Sequence, residues 1–562
     1  MEARRDEIPQ PVRTEPRRDT YQHQERHSAC ITGRTNPVTF SHPTLTRLSE
    51  IQATDYGNKV AITFDGVQHT YAQMHERTLT CAAELHAQGV RRGDRIAYLG
   101  PNHPALIVVL LACLRLGVIF VPLNWRLAPP ELDYQLTLAE VSLLYVAPES
   151  AKTADGLSTD VAQETVQWHD TPTSPTGPLV PAADVDGEQP ALLLFTSGTT
   201  GRPKGAVLSH ANLMWNSFNL LLNTDLTIDD VTLVVAPLFH VISLNQQVMT
   251  SYLRGAHMLI ESRWDVNRAF DAVEYEGLTW MAGVTTMFAD MLQSPRWESA
   301  DLSSLRFVNS GGAPVPVSLI QSYQAKDIMF CQGYGLTETS PGCTFLPAAH
   351  ALDKAGSAGR AVPFTEVEVR DVAGNACSPG VKGEIVARGP NVTNGYWNNP
   401  KATDQAFSPG GWFHTGDIGY LDDDGFLFIV DRLKDMFISG GENVYPAEVE
   451  SALFEHPGVS EAAVVAAADE KWGEVGHAFV VSAGSDALPT PDELSDFLLA
   501  RLAKYKVPKY FDLVDELPRT GSGKIHKVSL RTADALGAHS NPPATTTTED
   551  KPAPTAPSKD HK

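Results

Sequence analysis

The run Thr196-Ser197-Gly198-Thr199-Thr200-Gly201-Arg202-Pro203-Lys204-Gly205 gathers residue types that can hold a polyphosphate. Gly198, Gly201 and Gly205 let the backbone bend and approach a ligand closely, while hydroxyls and exposed N–H groups offer donors to phosphate oxygens. Lys204 adds a point charge at the end. The spacing is not the common GxxxxGK[ST] loop, because Gly205 follows the lysine where that loop needs a metal-binding Ser or Thr. A solvent loop rich in turn residues is the plain alternative. Against it stand the apolar runs on either side, Ala191 to Phe195 and Ala206 to Leu208, which read as two strands.

Other stretches offer matching chemistry. In Gly333-Tyr334-Gly335-Leu336-Thr337-Glu338, Tyr334 has a ring to stack on a base, Thr337 a hydroxyl, and Glu338 a hard carboxylate suited to Mg2+. Two glycines, Gly311 and Gly312, follow the strand-like Arg306 to Asn309 and let a flat group lie on the backbone. Asp417, after a glycine turn at Gly416, can accept two hydrogen bonds from a ribose diol, or serve simply as a turn aspartate. His240 ends the strand Val231 to Ala236, where a ligand contact and a hydrogen-bonded core histidine are both ordinary outcomes.

Together these strings resemble the adenylate-forming superfamily, which includes acyl-CoA synthetases, nonribosomal adenylation domains and firefly luciferase. The likeness covers about Thr44 to Leu530 and is nearest to stand-alone fatty-acyl-CoA synthetases. It implies an AMP-forming acid–thiol ligase using ATP, Mg2+ and coenzyme A. Thr196, Ser197, Gly198, Thr199, Thr200, Gly201 and Lys204 then hold phosphates, and Gly312, Ala313, Gly333, Tyr334 and Gly335 receive the adenine. Asp417 and Arg432 meet ribose or phosphate, Glu338 holds the metal beside Thr337, and His240 lies near the acyl pocket. The resemblance makes Lys434 a hinge, Gly440 and Gly441 the wall of a thiol tunnel, and Lys524, at the end of Thr520-Gly521-Ser522-Gly523, the adenylation lysine. The acid is expected to be a hydrophobic monocarboxylic one, from the room left by glycines at 333, 335 and 342. A carrier protein is the rival acceptor; a ligase specialised for one half-reaction and a non-catalytic acyl or nucleotide binder are the rival functions.

These residues need an α/β scaffold. Alternating strand and helix signals from Thr44 onward predict helix-covered, largely parallel sheets. The segment Gly383 to Pro400 resembles the family's strand-rich subdomain. Charges at Arg432 to Asp435 interrupt the apolar pattern and mark a boundary before a small α+β C-terminal domain, which the resemblance implies is mobile. The expected division is 1–40 disordered, 41–433 large domain, 434–536 small domain and 537–562 disordered. Residues 150 to 188, rich in Thr, Pro, Asp and Gly, read as a surface connection. The helix that follows strand Leu278 to Val284 should be capped by Thr285 or Thr286.

With 44 basic and 67 acidic residues in 562, the net charge of -23 argues against nucleic acid or anionic membrane as partner. Six scattered cysteines, without a CxxC pair, fit a reducing, cytoplasmic setting and no structural zinc. No signal peptide is expected at the start. The most apolar stretch, Ala105 to Leu123, contains Arg115 and Pro122, which favours a buried helix and strand over a membrane span. Oligomeric state stays open, a homodimer included.

Overall fold

The computed structural model describes residues 44–535 apart from 170, 173–177, 197–202, 312–314, 434, 440–441, 470–471, 485–488 and 520–524. Within that range the chain folds as a mixed α/β protein with four sheets. Two of them, of nine and six strands, form the bulk of the large domain. The nine-stranded sheet is mainly parallel, with Val231–Val234, Trp280–Gly283, Phe307–Gly311 and Met329–Gly335 delivering their C-terminal ends to one edge. Ends of parallel strands are where open α/β sheets leave a crevice for ligands.

The six-stranded sheet is centred on Arg95–Leu99 and Ile119–Leu123, both apolar and buried because helices cover them. Helix Pro104–Leu116 is buried along its whole length. It starts with Pro104 at a position that needs no N–H and with the His103 ring accepting from the Ala105 N–H at 3.0 Å. It stops at Gly117, whose φ of 66° is the left-handed conformation glycine adopts without strain. Arg115 is buried with it and donates to the Val180 carbonyl at 3.0 Å. Among the described residues no helix is long and apolar enough to cross a membrane.

Two details differ from the sequence reading. Residues 150–188 are not only connection: Ala162–Thr165 adds a parallel edge strand beside Leu143–Val146. Its exposed side chains gave no alternating apolar signal, since an edge strand facing water has little to bury. Neither threonine caps the helix Thr285–Gln293; the cap position is Val284, and the Thr285 hydroxyl lies 3.2 Å from that of Ser310.

A third, antiparallel sheet holds Glu366–Arg370, Gly383–Arg388 and Trp412–Leu421, with Leu427–Arg432 paired to the last. The fourth belongs to the C-terminal domain, where the long hairpin Val459–Asp469 and Gly473–Ser482 packs against helix Pro446–Phe454. The two terminal segments expected to be disordered, 1–40 and 537–562, lie outside the described residues.

Candidate active site

Strands Pro190–Thr196 and Lys204–Ser209 form an antiparallel hairpin in which Thr196 faces Lys204 across the register. The hairpin therefore brings the two ends of the Gly/Ser/Thr loop together. Ser197, Gly198, Thr199, Thr200 and Gly201, between them, lie outside the described residues. So do Gly312, Ala313, Lys434, Gly440, Gly441 and Lys524.

Glu338 sits on the short turn Thr337–Thr339 and is buried. Its Oε1 accepts from the Tyr396 hydroxyl at 2.9 Å and, in a longer contact, from the Thr196 hydroxyl at 3.4 Å. Its backbone carbonyl accepts from the Thr393 N–H at 2.7 Å. Oε2 accepts no hydrogen bond among the described residues. Thr337 beside it is half-buried. No group of three or more His, Cys, Asp or Glu arranged for a metal exists among the described residues. A lone carboxylate with one open oxygen suits Mg2+, which keeps waters and phosphate oxygens as most of its shell.

The turn that follows Glu338 is pinned by three asparagines. Asn245 donates to the Ser340 carbonyl at 2.5 Å, Asn216 accepts from the Gly342 N–H at 3.0 Å, and Asn391 donates to the carbonyls of Thr339 and Gly342 at 2.8 and 2.7 Å. All three are buried. Gly335 lies against the same turn so closely that a Cβ there would collide with the Pro341 carbonyl. Gly333 by contrast has room, with the Thr344 carbonyl 3.7 Å from where its Cβ would be.

His240 opens the wide helical turns Ile242–Met249, its backbone carbonyl accepting from Leu244 at 2.9 Å and its ring 4.5 Å from that of Phe239. Wide turns of this kind cluster at functional sites. The same segment supplies Asn245, so the element near His240 is joined to the Glu338 turn. Phe288 points into the core against Tyr323 and Phe330.

Tyr334 and Asp417 are engaged with each other. The Tyr334 hydroxyl donates to Asp417 Oδ2 at 2.7 Å, and Arg432 Nε lies 3.0 Å from Oδ1. Burial, reinforced by the Asp417 charge, pushes the phenol well above its ordinary range and keeps it a donor. Asp417 is within the long strand Trp412–Leu421, where Gly416 at φ 70° re-aims it. Each Asp417 oxygen thus already has one partner, and with two lone pairs apiece they keep acceptor capacity for a ribose diol. The Tyr334 ring packs against Val369, Ile385 and Leu427, which limits the face left for a base.

Sequence reasoning missed Tyr396, which links Glu338 to the Lys204 ammonium 4.9 Å from its ring centroid. The signal was its place in Gly395-Tyr396-Trp397, a segment bridged to the Lys204 strand at Ala206. It also missed Asp431, whose Oδ2 accepts from the Ala447 N–H at 2.8 Å and whose Oδ1 accepts from Arg432 at 2.6 Å. That carboxylate spans the boundary to the C-terminal domain by meeting the first turn of helix Pro446–Phe454. Burial pushes it up to about 6, against the opposing pull of its backbone hydrogen bonds and of Lys527, with Glu450 adding to the rise. A carboxyl raised on folding favours the folded state below about pH 4 and loses that contribution as pH rises through about 6. Urea melts should therefore show wild type losing on the order of 2 kcal/mol relative to Asp431→Asn between pH 4.5 and 7; an unchanged difference would refute the assignment.

A helix-covered sheet pair with a Gly/Ser/Thr hairpin facing a buried metal-type carboxylate, followed by a small C-terminal domain, defines the adenylate-forming class. Residues 49–397 match the AMP-binding enzyme family, and residues 448–524 match the AMP-binding enzyme C-terminal domain. A feruloyl-CoA synthase of an Amycolatopsis species is 46% identical over 477 residues, covering 84% of this chain and 95% of the relative. The structure of a Mycobacterium tuberculosis fatty acyl CoA synthetase superposes with a TM-score of 0.71 at 35% identity, covering 88% of this chain and 99% of that one. That of the Bacillus subtilis O-succinylbenzoate coenzyme A synthetase, in complex with ATP and magnesium ion, gives 0.79 at 32% identity over 86% and 99%. The chain belongs to the AMP-binding enzyme family and is an AMP-forming acid–thiol ligase of the acyl-CoA synthetase kind.

Proposed function

We propose that this protein adenylates a hydrophobic carboxylic acid with ATP and transfers the acyl group to coenzyme A. The observation that supports it most is the buried Glu338 carboxylate, joined to Thr196 at the mouth of the phosphate hairpin and set one tyrosine away from Lys204.

A carboxylate is a poor electrophile because oxide is a poor leaving group. Attack of a carboxylate oxygen on the α-phosphorus expels pyrophosphate and leaves an acyl phosphate bond that breaks easily. Charge builds on the α-phosphate and on the departing pyrophosphate, so catalysis consists of positioning and preplaced cations. Lys204 and the hydroxyls and N–H groups of residues 196–201 take the phosphates, and Lys524 approaches the α-phosphate. Mg2+ bound through Glu338 would neutralise phosphate charge. Thr337 stands beside that carboxylate, Arg432 and Asp417 orient the ribose, and Gly333, Gly312 and Ala313 leave the backbone open to the adenine, while Gly335 lets the strand lie against the turn that carries Glu338. In the second step the C-terminal domain turns about Lys434, withdraws Lys524 and presents Gly440 and Gly441 to the thiol. The sulfur then attacks the acyl carbon and AMP departs.

Aryl acids lead the substrate class, given 46% identity to a feruloyl-CoA synthase, with fatty acids next. The five described cysteines, Cys81, Cys113, Cys331, Cys343 and Cys377, are free thiols, which supports a cytoplasmic setting. The test is acid-dependent exchange of labelled pyrophosphate into ATP over fatty, aryl and polycyclic acids, with CoA thioester followed in parallel. Both signals with one acid are expected. Thioester only from a supplied adenylate would indicate a divided reaction, thioester only on a carrier protein would change the acceptor, and silence in both would favour a binding protein.

A further inference from the structure

We propose that Tyr396 is a positioning residue of the nucleotide site, holding the Lys204 ammonium and the Glu338 carboxylate apart so that each stays aimed at the nucleotide and its metal. The proposal rests on the function argued above. Lys204 and Glu338 both border Thr196, one across the hairpin register and one through its hydroxyl. Opposite charges this near would ordinarily pair, and in a partly desolvated cleft that pair would have to be broken before a triphosphate and a cation could enter. No Lys204–Glu338 ion pair forms among the described residues. Instead the ammonium lies 4.9 Å from the Tyr396 ring centroid, and the hydroxyl of the same ring donates to Glu338 Oε1 at 2.9 Å. The ring face satisfies the cation and the hydroxyl satisfies one carboxylate oxygen, leaving Oε2 for metal.

The backbone fixes the tyrosine for this task. Trp397 N–H donates to Gly205 at 2.8 Å, Val207 N–H donates to Gly395 at 3.0 Å, and Tyr396 N–H donates to the Thr403 hydroxyl at 3.0 Å. Gly395 needs its φ of 130°, and a Cβ on it would lie 2.5 Å from Thr403 Cγ2. Tyr396 is therefore tied to the strand that carries Lys204.

Calorimetric titration of the full chain with α,β-methylene-ATP, with and without Mg2+, separates the two halves of the role without turnover. Tyr396→Phe keeps the ring and should raise the Mg2+ needed for half-saturation by about fivefold while metal-free nucleotide binds as before. Tyr396→Leu lets the ions pair and should weaken metal-free nucleotide binding about tenfold. Combining it with Glu338→Gln removes the competing anion and should restore that affinity. Unchanged nucleotide and Mg2+ affinities in both single variants, or losses confined to thermal stability, would overturn the role. So would a double variant as weak as Tyr396→Leu. Wild type that fails to bind the nucleotide would overturn the proposed function and this role together; wild-type binding with unaltered variants would overturn this role alone.

Discussion

Gly335→Ala is expected to abolish adenylation, by at least about a hundredfold, and to lower the melting temperature by several degrees. The added methyl would meet the Pro341 carbonyl, with the Thr339 hydroxyl oxygen only 2.9 Å away. Overpacking costs about 1–3 kcal/mol when neighbours can yield. Here they cannot do so cheaply, because Asn216, Asn245 and Asn391 hold the opposing turn by its backbone. Any shift that accommodates the methyl also moves Glu338, two residues before Ser340. Thermal melts and pyrophosphate exchange on the same preparation check this, and a variant close to wild type in both would show that the turn is free to move.

The second large effect belongs to Lys524→Ala. Pyrophosphate exchange should fall by about 10²–10³, the usual consequence of removing one preplaced group from developing oxyanion charge. Thioester formation from a supplied acyl-adenylate should fall by less than about threefold, because the α-phosphate chemistry is then already complete. Equal losses in the two assays would place Lys524 outside the first half-reaction, or make its role structural.

Much of the scaffold could be read from the chain because buried parallel strands are apolar throughout and their helices carry clear stops. Strand Arg95–Leu99 and helix Pro104–Leu116 with Gly117 are of this kind. Edge strand Ala162–Thr165 was not readable, since its residues face water and alternate nothing. For the site, glycine-rich strings pointed to Thr196, Lys204 and Glu338, which the fold does bring together. What side-chain type could not say is whom each group meets. Tyr334 reads as a stacking ring yet spends its hydroxyl on Asp417, and Asp417 reads as a free turn carboxylate yet carries Arg432 as well. Tyr396 was silent because its partners, Glu338 and Lys204, are remote in sequence. Asn216, Asn245 and Asn391 were silent for the same reason.

That remoteness governs how the protein matures. Glu338 meets Thr196 across 142 positions and Tyr396 across 58, and Tyr334 meets Asp417 across 83. Contacts so distant must overcome loop-closure entropy before they return any stability. On the ribosome, the sheets around Arg95 and Val231 can begin to collapse while Glu338 still lacks Tyr396 and Tyr334 still lacks Asp417. A nascent chain completes the contacts of Glu338 and Asp417 only after Arg432 has emerged, so this cluster is a late acquisition in the life of each molecule.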